Sequence, residues 1–86
     1  MNIIAYTIDD CFYCEQLKEL FDRTNTNANL IKVGVDISRN EFKNKYPNAT
    51  GYPYVIINEK PIGGLVETAK FFLQKGLITA KKNERS

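Results

Sequence analysis

At 86 residues, with 43% hydrophobic and 26% charged side chains, the chain reads as one domain able to bury a modest core without cross-links. Its formal charge of +2 is too small and too scattered to argue for a nucleic-acid surface. No apolar run approaches the ~20 residues of a membrane span, and no basic-then-apolar leader opens the chain, so a soluble, cytoplasmic protein in a reducing compartment is expected.

Asn2 to Thr7 is rich in β-branched and aromatic residues and reads as a short strand. Two cysteines follow, Cys11 and Cys14, the only ones present. Behind them Cys14, Leu17, Leu20 and Phe21 recur with the spacing of a helix face. The pair therefore sits where a strand turns into the first turn of a helix. Unpaired N–H groups there carry partial positive charge, so a thiolate at that position is stabilised. A bridge between cysteines this close removes little unfolded-state entropy, so bracing the fold is not its purpose. A structural zinc site takes four Cys or His ligands, and the chain has two Cys and no His. These absences point the pair toward redox chemistry, and no metal ligand is assigned.

Asn25 to Asn29 is a turn-forming cluster. Leu30 to Val35 follows as a second strand with Ile31, Val33 and Val35 on one face, giving a right-handed βαβ unit with parallel strands. Ser38 and Glu41 have the spacing of a capping box, and Ile37 with Phe42 that of a hydrophobic staple. They start a short helix that buries Phe42 and Tyr46 and closes at Pro47. Pro53 opens a third strand, Tyr54 to Ile57. Asn58-Glu59-Lys60 turns it into a short strand around Pro61-Ile62, an edge by virtue of the proline. Gly63-Gly64 leads into a last helix with Leu65, Ala69, Phe72 and Leu73 on one face and Gly76 as its C′ residue. Residues 1–78 form the domain, and residues 79–86 a polar, partly basic tail.

The order β-α-β-α-β-β-α, with Tyr6-Thr7, Cys11-Phe12-Tyr13-Cys14, Gly51-Tyr52-Pro53 and Gly63-Gly64 at their spacings, resembles the glutaredoxin branch of the thioredoxin-like fold over residues 2–76. The resemblance implies an α/β domain with a four-stranded mixed sheet flanked by three helices. It implies a thiol–disulfide oxidoreductase in which Cys11 is the nucleophile and Cys14 the resolving thiol. Pro53 is cis in that family, exposing the backbone of Tyr52 to an extended substrate. Tyr13, Tyr52, Pro53, Gly64 and Leu65 are the expected contacts for glutathione or substrate. Glutathione enters as co-substrate with no tightly bound cofactor, and the partners expected are disulfide-containing or glutathionylated proteins, ribonucleotide reductase being a family-typical client. A monomer is expected, with no nucleic-acid or membrane partner.

The chain also departs from the family pattern. Phe12 stands where proline is usual, and Ile8 where many members carry lysine. Asp9 and Asp10 put negative charge near Cys11, opposing the helix dipole, so its thiol is expected to be acidified less than in a typical member. Val66 occupies the place of a side chain that binds the amino-acid end of glutathione, and valine cannot hydrogen-bond. Glutathione binding then falls to backbone groups of Tyr52, Gly64 and Leu65. Two alternatives remain open: recharging by a thioredoxin reductase, and an iron–sulfur cluster shared by a dimer through Cys11 and glutathione.

Overall fold

Alternation along the strands decides which helix covers which face of the sheet. The computed structural model describes residues 1–78, so the tail expected at 79–86 lies outside the described residues. Strand β1 spans Ile3–Thr7, β2 Asn29–Lys32, β3 Tyr54–Ile57 and β4 Lys60–Gly63. Helix α1 covers Phe12–Arg23, α2 Arg39–Lys45 and α3 Leu65–Gln74. The sheet has the order β2-β1-β3-β4; β1 and β2 are parallel, and β3 is antiparallel to both β1 and β4. This is the thioredoxin-like arrangement, a four-stranded mixed sheet with three helices.

Side chains of a strand alternate between faces. Ile3, Ala5, Val55 and Ile57 point one way and pack with Leu17 and Phe21 of α1 and Phe72 of α3. Tyr6 and Ile56 point the other way, onto Val33, Phe42 and Ala49. Both faces are covered, so β3 can be a continuous apolar run. Burying a side chain of this kind contributes about 1.5–3 kcal/mol. Phe21 and Phe72 join α1 to α3, their ring centroids 6.0 Å apart.

Local signals explain the ends of the elements. Ser38 Oγ accepts the Glu41 amide at 3.0 Å and Glu41 returns a carboxylate oxygen to the Ser38 N–H at 3.1 Å, the full reciprocal cap of α2. Asn58 and Glu59 both have positive φ, as a two-residue hairpin turn of the twisted type requires. Gly76, with φ +75°, sends its N–H to the Leu73 carbonyl while Leu77 reaches that of Phe72, a Schellman end to α3.

Two sequence expectations are corrected. The second strand ends at Lys32, and Val35 is 68% exposed instead of sharing a face with Ile31 and Val33. Gly34 has φ +94°, and Asp36 takes the Lys32 amide on its carboxylate, so the chain turns where the apolar alternation continues. On α3 the buried side chains are Thr68 and Phe72, whereas Leu73 is exposed. Thr68 is tolerated inside because its hydroxyl donates to the Gly64 carbonyl at 2.8 Å.

Candidate active site

Strand directions gather the functional segments at one end of the sheet. Strands β1 and β4 each run opposite to β3, so they run the same way and deliver α1 and α3 to the same end. Pro53, just ahead of the oppositely directed β3, lies at that end too.

Asp10 takes a left-handed backbone, φ 54°, which aspartate tolerates better than most residues. It turns the chain so that Cys11 becomes the N-cap of α1, extended at φ −123° and ψ 108°. The Cys14 amide donates to Cys11 Sγ at 3.1 Å, so a sulfur satisfies one of the orphan N–H groups of the helix. Cys11 is half-buried, while Cys14 is fully buried one turn inside. Their Cα atoms are 5.2 Å apart and the two side chains form a disulfide. That separation is within the usual range for a bridge, so the backbone is already set for the oxidised pair. Phe12 and Tyr13 project outward, 70% and 60% exposed, in an edge-on pair with centroids 5.5 Å apart.

Charge near the pair is partly cancelled. Asp9 bonds Lys32 Nζ at 2.9 Å, and this partner holds the Lys32 ammonium above the ordinary lysine value. Glu15 pairs with Lys18 one turn along α1. Of the two aspartates ahead of Cys11, the first therefore has its countercharge on β2.

Pro53 is buried and its bond to Tyr52 is cis. The Tyr52 ring lies on Phe42, centroids 5.3 Å apart, and joins the aromatic cluster of Tyr6, Tyr46 and Tyr54. Burial first, and then a hydrogen bond to Tyr6, raise the Tyr46 phenol above its ordinary value. This anchors the Tyr52 side chain in the core beneath α2, so what the residue adds to the site is one wall and its backbone.

Tyr13, Tyr52, Pro53, Gly64 and Leu65 come together around one groove of about 290 Å³, joined by Val66 and Glu67. Glu67 is the residue whose part the sequence reading missed. The Gly64 N–H donates to Glu67 Oε1 at 3.0 Å, and Gly63, with φ +127°, leaves room for it. A Cβ on Gly63 would stand 3.0 Å from Glu67 Cγ. The Gly64 amide, expected to face a ligand, is thus engaged from within the chain, while the groove beside it stays open. A glutamate three residues after a helix cap is the sequence signal for such a bond.

No protein-family model matches the sequence, and no curated protein does either. Solved structures do match. A wheat glutaredoxin aligns with TM-score 0.71 and 25% identity over 88% of this chain and 73% of its own. The reduced glutaredoxin of Escherichia coli aligns with TM-score 0.71 and 16% identity over 86% of this chain and 95% of its own. A buckwheat glutaredoxin, solved as a complex with glutathione, aligns with TM-score 0.68 and 23% identity over 87% of this chain and 70% of its own. In fold and in its Cys-x-x-Cys pair the chain is glutaredoxin-like, with the arrangement of a thiol–disulfide oxidoreductase.

Proposed function

We propose that the protein is a glutathione-dependent dithiol oxidoreductase that reduces protein disulfides or glutathionylated proteins, acting as a cytoplasmic monomer, with ribonucleotide reductase as a candidate client. The observation that carries this reading is the asymmetry of the pair: Cys11 half-buried at the mouth of α1 with an amide on its sulfur, Cys14 buried behind it. In the reduced protein the Cys11 thiolate attacks a substrate sulfur, forming a mixed disulfide and releasing the other sulfur as a thiolate. The Cys14 thiolate then attacks Cys11 Sγ and expels the second substrate thiolate. The substrate gains the two electrons that the pair loses in forming its disulfide. Glutathione, which the buckwheat relative was solved with, returns those electrons by the reverse exchange.

A second reading has an observation in its favour. The Gly64 amide, an expected glutathione contact, is held by Glu67, and the exposed Val66 offers no polar atom. A thioredoxin reductase would recharge the pair without that contact. The two donors imply different poise, about −270 mV for thioredoxin against roughly −200 to −230 mV for glutaredoxins. Disulfide reduction with glutathione and glutathione reductase, run beside thioredoxin reductase and NADPH, tests the choice. Turnover with glutathione is the expected result; turnover only with thioredoxin reductase replaces it with the second reading, and turnover with neither sinks both.

A further inference from the structure

We propose that the end of the molecule opposite the cysteines carries a docking site for an acidic protein segment, a stretch with carboxylates on either side of a large apolar side chain. The site lies apart from the redox pair and serves attachment, not thiol exchange.

The strand directions bring Met1, the β3–β4 turn and the last turn of α3 together at that end. A groove of about 400 Å³ opens among them, within the span of about 300–1,000 Å³ that ligand pockets occupy. Of the residues lining it, Ile62 and Phe71 are half-buried against the core, and Met1 and Leu77 are exposed. Lys60, at the start of β4, and Lys75, the C-cap of α3, bring two cations to the same lining. Lys75 Nζ lies 5.4 Å from the centroid of the Phe71 ring, so one of those charges is held over an apolar wall.

The charges around the groove define its occupant. No acid lines it, and among the described residues none stands within ion-pair distance of Lys60 or Lys75. The acids at this end are Glu59, in the turn ahead of Lys60, and Asp22, which opens onto a different groove beside Lys18 and Leu30. Arg23 on α1 and Lys70 on α3 offset these two. Residues 79–86 hold Lys81, Lys82 and Arg85 against Glu84, so the chain's own next segment shares the sign of the groove. A partner bearing carboxylates meets two cations instead. Its apolar side chain, set against Phe71 and Leu77, adds burial to what exposed ion pairs alone contribute. Bound there, the segment leaves the mouth of α1 clear and Cys11 free to exchange.

The experiment titrates the isotope-labelled protein with a short peptide in which glutamates flank phenylalanine and leucine, and with the same peptide carrying lysine for glutamate. Amide shifts report where each binds and how tightly. The expected result is saturable binding of the acidic peptide, with shifts at Ile62, Phe71, Lys75 and Leu77 and none at Tyr13 or Gly64. The double variant Lys60→Gln with Lys75→Gln is expected to bind it about threefold to tenfold more weakly, the scale of one or two exposed ion pairs. The lysine peptide should bind wild type more weakly still. Leu77→Gln, which changes an exposed apolar side chain, should also weaken binding of the acidic peptide. No saturable binding, equal binding of the two peptides, unchanged affinity in the double variant, or shifts centred on the cysteines each overturn the proposal. Contacts from residues 79–86 to Phe71 in the free protein assign the groove to the chain's own tail and overturn it too. Groove shifts that depend on protein concentration alone do the same in favour of a second copy. Binding to phosphatidylserine vesicles without binding to the peptide replaces the protein segment with a membrane surface. Turnover is not read, so each of these outcomes leaves the oxidoreductase reading as it stands.

Discussion

Helices α1 and α3 begin at the same end of the sheet and satisfy their first amides in contrasting ways. At α1 the acceptor is the sulfur of Cys11, the proposed nucleophile. At α3 it is the carboxylate of Glu67. Helix α2 provides a third case, a Ser38–Glu41 box without any link to the cysteine pair. Orphan amides demand an acceptor wherever a helix starts. Chemistry arises where that acceptor is a nucleophile with a second one turn behind it. At α3 the same demand is met by a charged side chain with no second thiol behind it.

The largest expected effect breaks the comparison at α1. Cys11→Ser is expected to abolish disulfide reduction, since the hydroxyl caps the helix but is no nucleophile at neutral pH. An unchanged melting temperature beside lost turnover in a glutathione-coupled assay is the supporting result; residual turnover transfers the nucleophile's role to Cys14. Next comes Cys14→Ser, expected to retain deglutathionylation yet trap a mixed disulfide between Cys11 and a protein substrate, visible on a non-reducing gel. Ser38→Ala should lower stability by about 0.5–2 kcal/mol in urea unfolding and leave turnover unchanged, which separates a cap with chemistry from one without. The smallest effect is expected from Asp10→Asn. It should move the Cys11 thiol titration downward by less than about one pH unit, because an exposed charge contributes about 0.3–1 kcal/mol and a unit costs about 1.4. Thiolate absorbance followed through a pH titration checks it, with wild type itself expected below the ~8.5 of a free cysteine. An upward shift in the variant would mean that Asp10 assists the thiolate.

Much of the fold was legible because its signals are local. The Ser38–Glu41 spacing, Gly76 after α3 and the strand-turn-helix around Cys11 each depend on residues within a few positions of one another. Apolar periodicity was a weaker guide at the ends of elements. Val35 continues an alternation that Gly34 and Asp36 have already ended, and Leu73 keeps helical spacing on a face that Thr68 and Phe72 define instead. The residues expected around a ligand do surround one groove, yet the Asp9–Lys32 ion pair could not be foreseen, since it depends on the register in which β2 lies against β1. Glu67 was visible as an acidic residue after two glycines. Its hold on Gly64 became plain only once the backbone of Gly63 was seen to make room for it.

Tyr13, exposed between the two cysteines, is placed to report optically on the redox state of the pair. The chain has no tryptophan to collect excitation from its tyrosines. Tyr6, Tyr46, Tyr52 and Tyr54 stack together around Phe42, whereas Tyr13, paired with Phe12, stands apart from them between the cysteines. A neighbouring disulfide quenches phenol emission and a thiol does so less, so the fluorescence of unlabelled protein is expected to brighten when the pair is reduced and to dim when it is oxidised again.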